Sequence, residues 1–553
     1  MAATFVDEWV RSGITEAVVA PGSRSTPMTM AVLADGRLMS HVHIDERSAA
    51  FMALGIGLAS GRPAPVITTS GTAAVELHPA VVEAHHAAVP MIVCTADRPP
   101  ELRGVGSPQT IDQHDLFGRS VRLALEVEPP GEENRVQWRS WSAQMVLAAE
   151  GDPPGPVHCN LAFREPLLGT AQALPAGRAD GELWHRRGDS PALPDRSGLE
   201  ALIGGAGRGV LVAGRGCGGA TAVAELGDRL GWPVLADPLS GLRSGRDGVV
   251  AAFDALLRRE SFAEEEAVDL VVQFGAAPAS KVLQRWLDSH GTERAVIGIG
   301  PELPVSGRGA AVVLRADPGV VASALVGAVD DRSPGAARDR WGSADRLAQQ
   351  VLDRELRGRL SEPAVARTVL EAAPAGAALV VSSSMPVRDV EWYGPHRGDV
   401  TVLANRGANG IDGVVSSAVG VALTGRPTIA LIGDLAFLHD SNGLLGAGDR
   451  DIDLTIVVVD NDGGGIFSFL PPADRLPAAT FELAFGTPHG LDLVAMAEAF
   501  GGPARRITSS AELTEVVAAP DGLTVVVVDS DRAANVAVHD ELHRAVSDEL
   551  ADM

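Results

Sequence analysis

Two strand ends in the last third of the sequence carry residues of the kind that hold a hard cation. In the stretch PTIALIGDLAFLHDSNGLLGAGDRDIDLTIVVVDNDGGGIFSFLP the apolar runs 428–433 and 454–459 read as strands with a helix between them. Asp434 closes the first run, and Asn461 follows the second after 26 intervening residues. Consecutive parallel strands send their carboxyl ends to one edge, so the two side chains are expected side by side. Mg²⁺ takes an octahedron of hard oxygen donors, commonly one or two carboxylates together with phosphate oxygens. Asp434, the amide oxygen of Asn461 and a carbonyl of the turn near Gly463 would supply half of that shell, and a diphosphate with water the rest. A lone Asp at a strand end is a common cap. The spacing together with the glycine run is what points to a cation and a diphosphate.

A second candidate group lies near the amino terminus, in HVHIDERSAAFMALGIGLASGRP, residues 41–63. Asp45, Glu46 and Arg47 lead straight into a run from Ser48 to Ala59 that is apolar nearly all round. A helix of that composition belongs in a core or an interface. A carboxylate at its start is costly unless something binds it. Glu46 therefore either serves the helix's first turn or meets a ligand.

The elements that must position these groups alternate short β-branched runs with Ala-rich helical stretches, the pattern of βαβ units, so the fold class is α/β with parallel sheets. EAVVAPG, APVITTSG, PMIVCTAD, RGVLVAG, PTIALIGD, LTIVVVDN and LTVVVVDS are the clearest strands. The chain also resembles itself: ALGIGLASGRPAPVITTSGTA (53–73) reads like AVGVALTGRPTIALIGDLA (418–436) after small gaps. Matching the two Gly-Arg-Pro turns sets an offset of 364 residues, which places Ser70 opposite Asp434 and Asp97 opposite Asn461. Either all doubly wound domains share this grammar, or a domain has been duplicated. With Pro/Gly-rich stretches at 174–198 and 330–339 as linkers, three doubly wound domains are expected at 1–178, 190–340 and 355–553.

In the middle segment, Gly214, Gly216 and Gly219 satisfy G-x-G-x-x-G after the strand RGVLVA, and Asp237 follows 18 residues after Gly219. That context fits either a dinucleotide site, hence a flavin or nicotinamide oxidoreductase, or glycines kept for tight packing. The formal charge of -25 and a pI near 4.9 argue against nucleic acid and anionic membranes as partners. A single tyrosine and 4% aromatics leave little for base stacking. Cys94, Cys159 and Cys217 are widely spaced and form neither a metal pattern nor a disulfide framework. No basic segment precedes an apolar one at the amino terminus, and no apolar run has membrane-spanning length, so a cytoplasmic location without membrane insertion is expected.

The G-D, N and glycine-run pattern resembles the signature of thiamine-diphosphate enzymes. The set APGSRSTP, HIDERSAAFMALG, TSGTA, TADRPPELRGVGSPQTIDQ, SSSMPVRD, NRGANGIDG and DNDGGGIFSFLP is similar to the 2-succinyl-5-enolpyruvyl-6-hydroxy-3-cyclohexene-1-carboxylate synthases of menaquinone biosynthesis. The likeness is dense in the first and third domains and poor in the middle one. It implies a transferase with a pyrimidine-binding first domain, a central Rossmann-like domain and a diphosphate-binding third domain, the first and third related by duplication. It also implies thiamine diphosphate with Mg²⁺, or Mn²⁺, as cofactors. The reaction implied decarboxylates 2-oxoglutarate and adds the remainder to isochorismate. An acetohydroxyacid-synthase-like decarboxylase or carboligase is the neighbouring alternative.

By the same resemblance Glu46 would be catalytic, bonding the cofactor's pyrimidine nitrogen N1′, with burial favouring the neutral carboxyl that shares its proton. Ser384, Asn409, Ile411 and Ile466 would join Glu46, Asp434 and Asn461 around the cofactor, with Ile411 as the wedge that keeps it folded, and Asp434, Asn461 and Gly463 would hold the metal. Ser23, Arg24, Arg98, Gln109, Ser384, Arg388 and Arg406 would bind carboxylates and hydroxyls, the arginines because their planar fork suits carboxylates. Ile466, Phe467 and Leu470 would wall the substrate. A homodimer or homotetramer with sites across the chain interface is implied as well. The sequence departs from the wider pattern in reading GDL for GDG, in placing Asp460 before Asn461, and in offering Lys281 without a clear second basic partner.

Overall fold

The structure is a computed structural model and describes residues 1–553 except 170–171, 187, 189–192, 304–308 and 333–334. The boundary expected at residue 190 lies outside the described residues. Among the described residues there are three six-stranded sheets, and every strand pairing within them is parallel. The first holds β1 (Glu16–Val19), β2 (Met39–Val42), β3 (Ala64–Thr68), β4 (Met91–Asp97), β5 (Ala124–Val127) and β6 (Pro156–Ala162). The second holds β7 (Gly209–Ala213), β8 (Val234–Ala236), β9 (Val249–Val250), β10 (Val268–Phe274), β11 (Gly291–Gly298) and β12 (Val312–Arg315). The third holds β13 (Ala378–Val381), β14 (Thr401–Leu403), β15 (Thr428–Gly433), β16 (Leu454–Asp460), β17 (Ala504–Arg506) and β18 (Leu523–Asp529).

The strand orders settle what the internal likeness left open. The first sheet runs β2-β1-β3-β4-β6-β5 and the third β14-β13-β15-β16-β18-β17, which is one and the same winding. The second runs β12-β11-β10-β7-β8-β9, the 3-2-1-4-5-6 order of a dinucleotide-binding fold. General α/β grammar would not make two domains agree and set the third apart; duplication of the first and third does. Central strands such as β3, β4, β6 and β7 are buried along their whole length, as sheets covered on both faces must be.

The middle domain keeps the Rossmann order, with the loop after β7 in close backbone contact with its neighbours. A Cβ at Gly214 would stand 1.7 Å from the carbonyl oxygen of Ala276, so the loop after β7 is pressed onto the loop after β10. A Cβ at Gly319 would stand 2.3 Å from the amide nitrogen of Gly219. The amino terminus of the helix Ala220–Leu230, where a pyrophosphate would rest, is thus occupied by another segment's backbone. Asp237 closes β8 and accepts from its own Leu239 amide at 2.6 Å, a turn cap. Gly214 serves close packing and Gly216, at φ 71°, the turn, while a Cβ at Gly219 would meet nothing within 4 Å, so the motif alone does not carry the oxidoreductase alternative.

By its contacts the chain divides into two compact units. One comprises Met1–Ser190, Asn405–Arg426 and His439–Ile452; the other comprises Pro191–Ala404, Pro427–Leu438 and Asp453–Met553. In the first unit the apolar run after Glu46 forms the helix Glu46–Ser60, capped by the Asp45 side chain, which accepts from the Ser48 amide, and ended by Gly61 at φ 68°. Its covering partner is the chain's own helix Val414–Ala422. A Cβ at Gly55 would be 2.1 Å from the Ser417 carbonyl oxygen, and one at Gly420 would be 2.1 Å from that of Met52. The all-round apolar surface is therefore explained within one chain and needs no second copy.

Candidate functional site

Asp434 and Asn461 lie side by side at one sheet edge, as their positions after two parallel strands imply. Gly433 pairs with Val459 in register, so Asp434 and Asn461 emerge together from β15 and β16. Asp434 is 2% exposed. Its Oδ2 accepts the backbone amides of Gly463 at 2.7 Å and Asn461 at 3.2 Å, and its Oδ1 accepts that of Leu435 at 2.6 Å. Burial pushes this carboxyl above the usual range, and the amides of Gly463 and Leu435 pull it back. Gly463 is required by its conformation: φ is 136°, and a Cβ would stand 1.9 Å from the Gly486 carbonyl oxygen.

Asn461 presents a buried oxygen donor beside Asp434. Its Nδ2 donates to Glu362 at 2.9 Å, which fixes the amide's orientation, while the buried Oδ1 has no hydrogen-bond partner. A buried polar atom left unpaired costs about 1–3 kcal/mol. A hard cation beside Asp434 satisfies it, so the donor set present fits Mg²⁺. Glu362 is itself 4% exposed, and burial with the nearby Asp389 and Asp434 charges raises its pKa to about 7.

His489 joins the group unannounced by any sequence pattern. Its Nδ1 accepts from the Leu491 amide at 3.0 Å, so Nε2 carries the hydrogen. That nitrogen lies 3.4 Å from Asp434 Oδ2 and 3.6 Å from Asp460 Oδ1. One ligand atom from each of Asp434, Asp460 and His489 lies within 4.8 Å of the others. Asp460, noted above as a departure, thus belongs to the same cluster.

In the other unit, the expectation of a deeply buried Glu46 is not met. The side chain is half-buried, full burial begins at Ser48, and Glu46 has no hydrogen-bond partner among the described residues. It lines a cavity of about 680 Å³ together with Arg47, Thr72, Gln109 and Asn442. The backbone beneath it is held firmly. Asn442 Nδ2 donates to Asp45 at 2.7 Å, Arg47 donates to the His439 carbonyl at 2.8 Å, and the Ser48 hydroxyl meets the fully buried Asp440 at 3.4 Å. The acid that serves the helix start is Asp45, which leaves the Glu46 carboxylate for the cavity.

The arginine loops divide between the two units. In the first, Arg24 is buried and donates to the Phe163 carbonyl at 3.0 Å, Ser23 beside it is exposed, and Arg98 donates to Ser70 and to the Pro108 carbonyl. Burial and the neighbouring Arg24 charge lower the Arg98 pKa, against the opposing charges of Asp97 and of Glu165, which lies 3.5 Å from Arg24. Gln109 and Ser70 bond each other reciprocally, at 2.9 and 3.0 Å, drawing the TSGTA loop to the same place. Half-buried Arg406 and Ile411 and exposed Asn409 share the loop before the helix Val414–Ala422. A second cavity of about 680 Å³ beside the amino-terminal helix has its arginines, Arg37, Arg135 and Arg164, paired with Asp35, Glu132 and Glu101.

In the second unit Arg388 donates to the Ser384 carbonyl across the first turn of the helix Met385–Tyr393. Ile466, Phe467 and Leu470 are half-buried in and just after the turn Gly465–Phe469, with the Phe467 ring 5.3 Å from that of Phe485. Gln109, Ser384 and Asn409 adopt left-handed backbones, φ 53°, 75° and 65°. Ala88, Asp115, Asp462 and Thr487 do the same, Ala88 as the cap of the helix His78–Ala87, so the conformation alone does not mark a site.

Known proteins bear on this geometry. Residues 1–116 match the family described as thiamine pyrophosphate enzyme, N-terminal TPP binding domain. Residues 199–298 match the middle domain of thiamine pyrophosphate enzymes, and 394–529 the C-terminal TPP binding domain. The 2-succinyl-5-enolpyruvyl-6-hydroxy-3-cyclohexene-1-carboxylate synthase of Geobacillus kaustophilus (strain HTA426) is 41% identical over 100% of this chain and 98% of its own. That of Saccharopolyspora erythraea is 41% identical over 99% and 98%. The benzoylformate decarboxylase structure from Polynucleobacter necessarius shares the fold, with a TM-score of 0.73 and 18% identity over 96% of this chain and 98% of that one. A strand-end Asp, an orphaned amide oxygen and a duplicated pair of domains, joined to full-length likeness at this level, place the chain in the thiamine-diphosphate-dependent 2-succinyl-5-enolpyruvyl-6-hydroxy-3-cyclohexene-1-carboxylate synthase family.

Proposed function

We propose that this protein decarboxylates 2-oxoglutarate and adds the remaining four-carbon unit to isochorismate, releasing CO2 and forming 2-succinyl-5-enolpyruvyl-6-hydroxy-3-cyclohexene-1-carboxylate. The observation that carries the reading is the unpaired, buried Asn461 Oδ1 beside the Asp434 carboxylate, two hard oxygen donors at the end of a duplicated strand pair. Thiamine diphosphate, when bound, supplies the nucleophilic carbon and the electron sink for decarboxylation. Asp434, Asn461 and the Gly463 carbonyl would hold Mg²⁺ or Mn²⁺ with the diphosphate, and Glu362, by accepting from Asn461 Nδ2, would keep the Asn461 oxygen available to it. Glu46 would hold a proton at its carboxyl for the cofactor's pyrimidine nitrogen, and Ser384, Asn409, Ile411 and Ile466 would shape the cofactor's seat.

Both substrates are dicarboxylates, and an acidic chain must meet them with local positive charge. Arg24, Arg98, Arg388 and Arg406 provide it, with Ser23, Gln109 and Ser384 for hydroxyls and Ile466, Phe467 and Leu470 for the apolar ring face. We place the domains at 1–178, 190–340 and 355–553. The active assembly is a homodimer or homotetramer in which Glu46 of one chain meets Asp434 of another, in keeping with the family resemblance. No helix among the described residues is long and apolar enough to cross a membrane, in keeping with a cytoplasmic enzyme.

The test supplies 2-oxoglutarate with and without isochorismate to protein loaded with thiamine diphosphate, before and after removal of divalent cations, and follows CO2 and the adduct by mass spectrometry. Adduct formation that needs both substrates and a restored divalent cation is expected. Preference for pyruvate would move the protein to the acetohydroxyacid-synthase-like alternative, and adduct formation without any cation would remove the role given to Asp434 and Asn461.

A further inference from the structure

We propose that Glu83, on the helix His78–Ala87, is a positioning residue that sets the direction of Arg406; this rests on the reading above, in which Arg406 grips a substrate carboxylate. The loop from Ala404 to Gly413 joins β14 to the helix Val414–Ala422 without regular structure, so its amides must find partners elsewhere. Two of them find Glu83. The Gly407 amide donates to Oε1 at 2.6 Å and the Ala408 amide to Oε2 at 2.7 Å, a two-pronged grip by a carboxylate only 3% exposed. The loop lies directly on the helix: a Cβ at Gly407 would be 2.5 Å from both the Ala87 nitrogen and the Glu83 carbonyl oxygen. On the other side of Arg406, the buried Asn405 donates to the Ser417 hydroxyl at 3.1 Å. Arg406 thus stands between two anchors, and the residue after them, Asn409, is held at φ 65°.

The chemistry of the anchor explains why it is an acid. Burying a carboxylate is expensive, and a charge-assisted bond to each of two amides is what offsets the cost. Glutamine could accept only one of them and would turn its own NH₂ toward the other. Aspartate keeps both acceptors on a stem one methylene shorter. The loop's position, and with it the guanidinium of Arg406, follows the carboxylate.

A double-mutant cycle separates positioning from a general structural role, because effects that share one mechanism fail to add. Expected is that Glu83→Gln raises the KM for 2-oxoglutarate or isochorismate about tenfold, the scale of one lost charge-assisted bond, and speeds amide hydrogen exchange at Gly407 and Ala408. In an Arg406→Ala background the same change should have no further effect on KM, and Glu83→Asp should restore part of the wild-type value. If Arg406→Ala alone leaves both KM values unchanged, the reading of the substrate site is what fails. If Arg406→Ala raises KM while Glu83→Gln does not, or the two effects multiply, the positioning role is overturned. Should Glu83→Gln not fold, the cycle is run with Glu83→Asp, and multiplying effects there overturn the proposal equally.

Discussion

His158, on β6, is 1% exposed, with Nε2 2.8 Å from the Thr95 hydroxyl, its Nδ1 unpartnered and the Phe117 ring edge-on at 4.8 Å. Burial lowers its pKa from 6.5 to about 4. Between those values the unfolded chain binds a proton that the folded chain refuses, so stability rises with pH. The contribution is intact above about pH 6.5 and is lost as pH falls toward about 4. His158→Asn should flatten the dependence of unfolding free energy on pH by about one proton across that window, read from denaturant titrations at successive pH values. An unchanged slope would place the proton elsewhere. At this same scale the limits of reading a sequence are plain. Asp434 and Asn461 were legible because each follows a strand in a recognisable run. Glu362, 99 positions from Asn461, and His489, 55 from Asp434, were not, because their roles exist only once the fold brings them there. Glu46 was legible as to place and misjudged as to burial, since an apolar run predicts the helix and says little of its first turn.

Among the elements, the pair Glu46–Ser60 and Val414–Ala422 shows how a composition becomes a contact. The apolar periodicity foretold a covered helix, and the Gly-Arg-Pro likeness linked the two segments, yet nothing in either suggested that the copies pack on each other. The reason they can is reciprocal: Gly55 admits the backbone at Ser417, and Gly420 admits the backbone at Met52. Neither contact is with a flexible side chain that could swing aside. Gly55→Ala and Gly420→Ala should each cost about 1–3 kcal/mol by overpacking, despite alanine's higher helix propensity. Gly204→Ala, in the helix Ser197–Gly205 with nothing within 4 Å of the added carbon, should be neutral or mildly stabilising. Equilibrium denaturation of the three variants decides. Equal effects at all three would mean that the close approach does not govern stability.

For the molecule as a whole, duplication puts two equivalent edges in one chain, and the offset of 364 residues assigns them different tasks. After β15 and β16 stand Asp434 and Asn461, the hard-oxygen pair. After β3 and β4 the matching positions are Ser70 and Asp97, where Ser70 meets Arg98 and Gln109. The two copies have thus diverged at this edge, one carrying a carboxylate and an amide, the other a serine bonded to a guanidinium group. Since the helix after Glu46 is covered by its own chain, its apolar surface does not argue for a dimer, and the cross-chain site must be tested directly. A hybrid of a Glu46→Gln chain with an Asp434→Asn chain provides the means. If each site takes Glu46 from one chain and Asp434 from the other, the hybrid holds one doubly damaged site and one intact site. Two nearly inactive proteins should then regain up to about half the wild-type activity per hybrid dimer when co-expressed with different tags and purified through both. If each chain builds its own complete site, no hybrid contains an intact one. Doubly tagged protein without recovered activity would therefore refute the shared site.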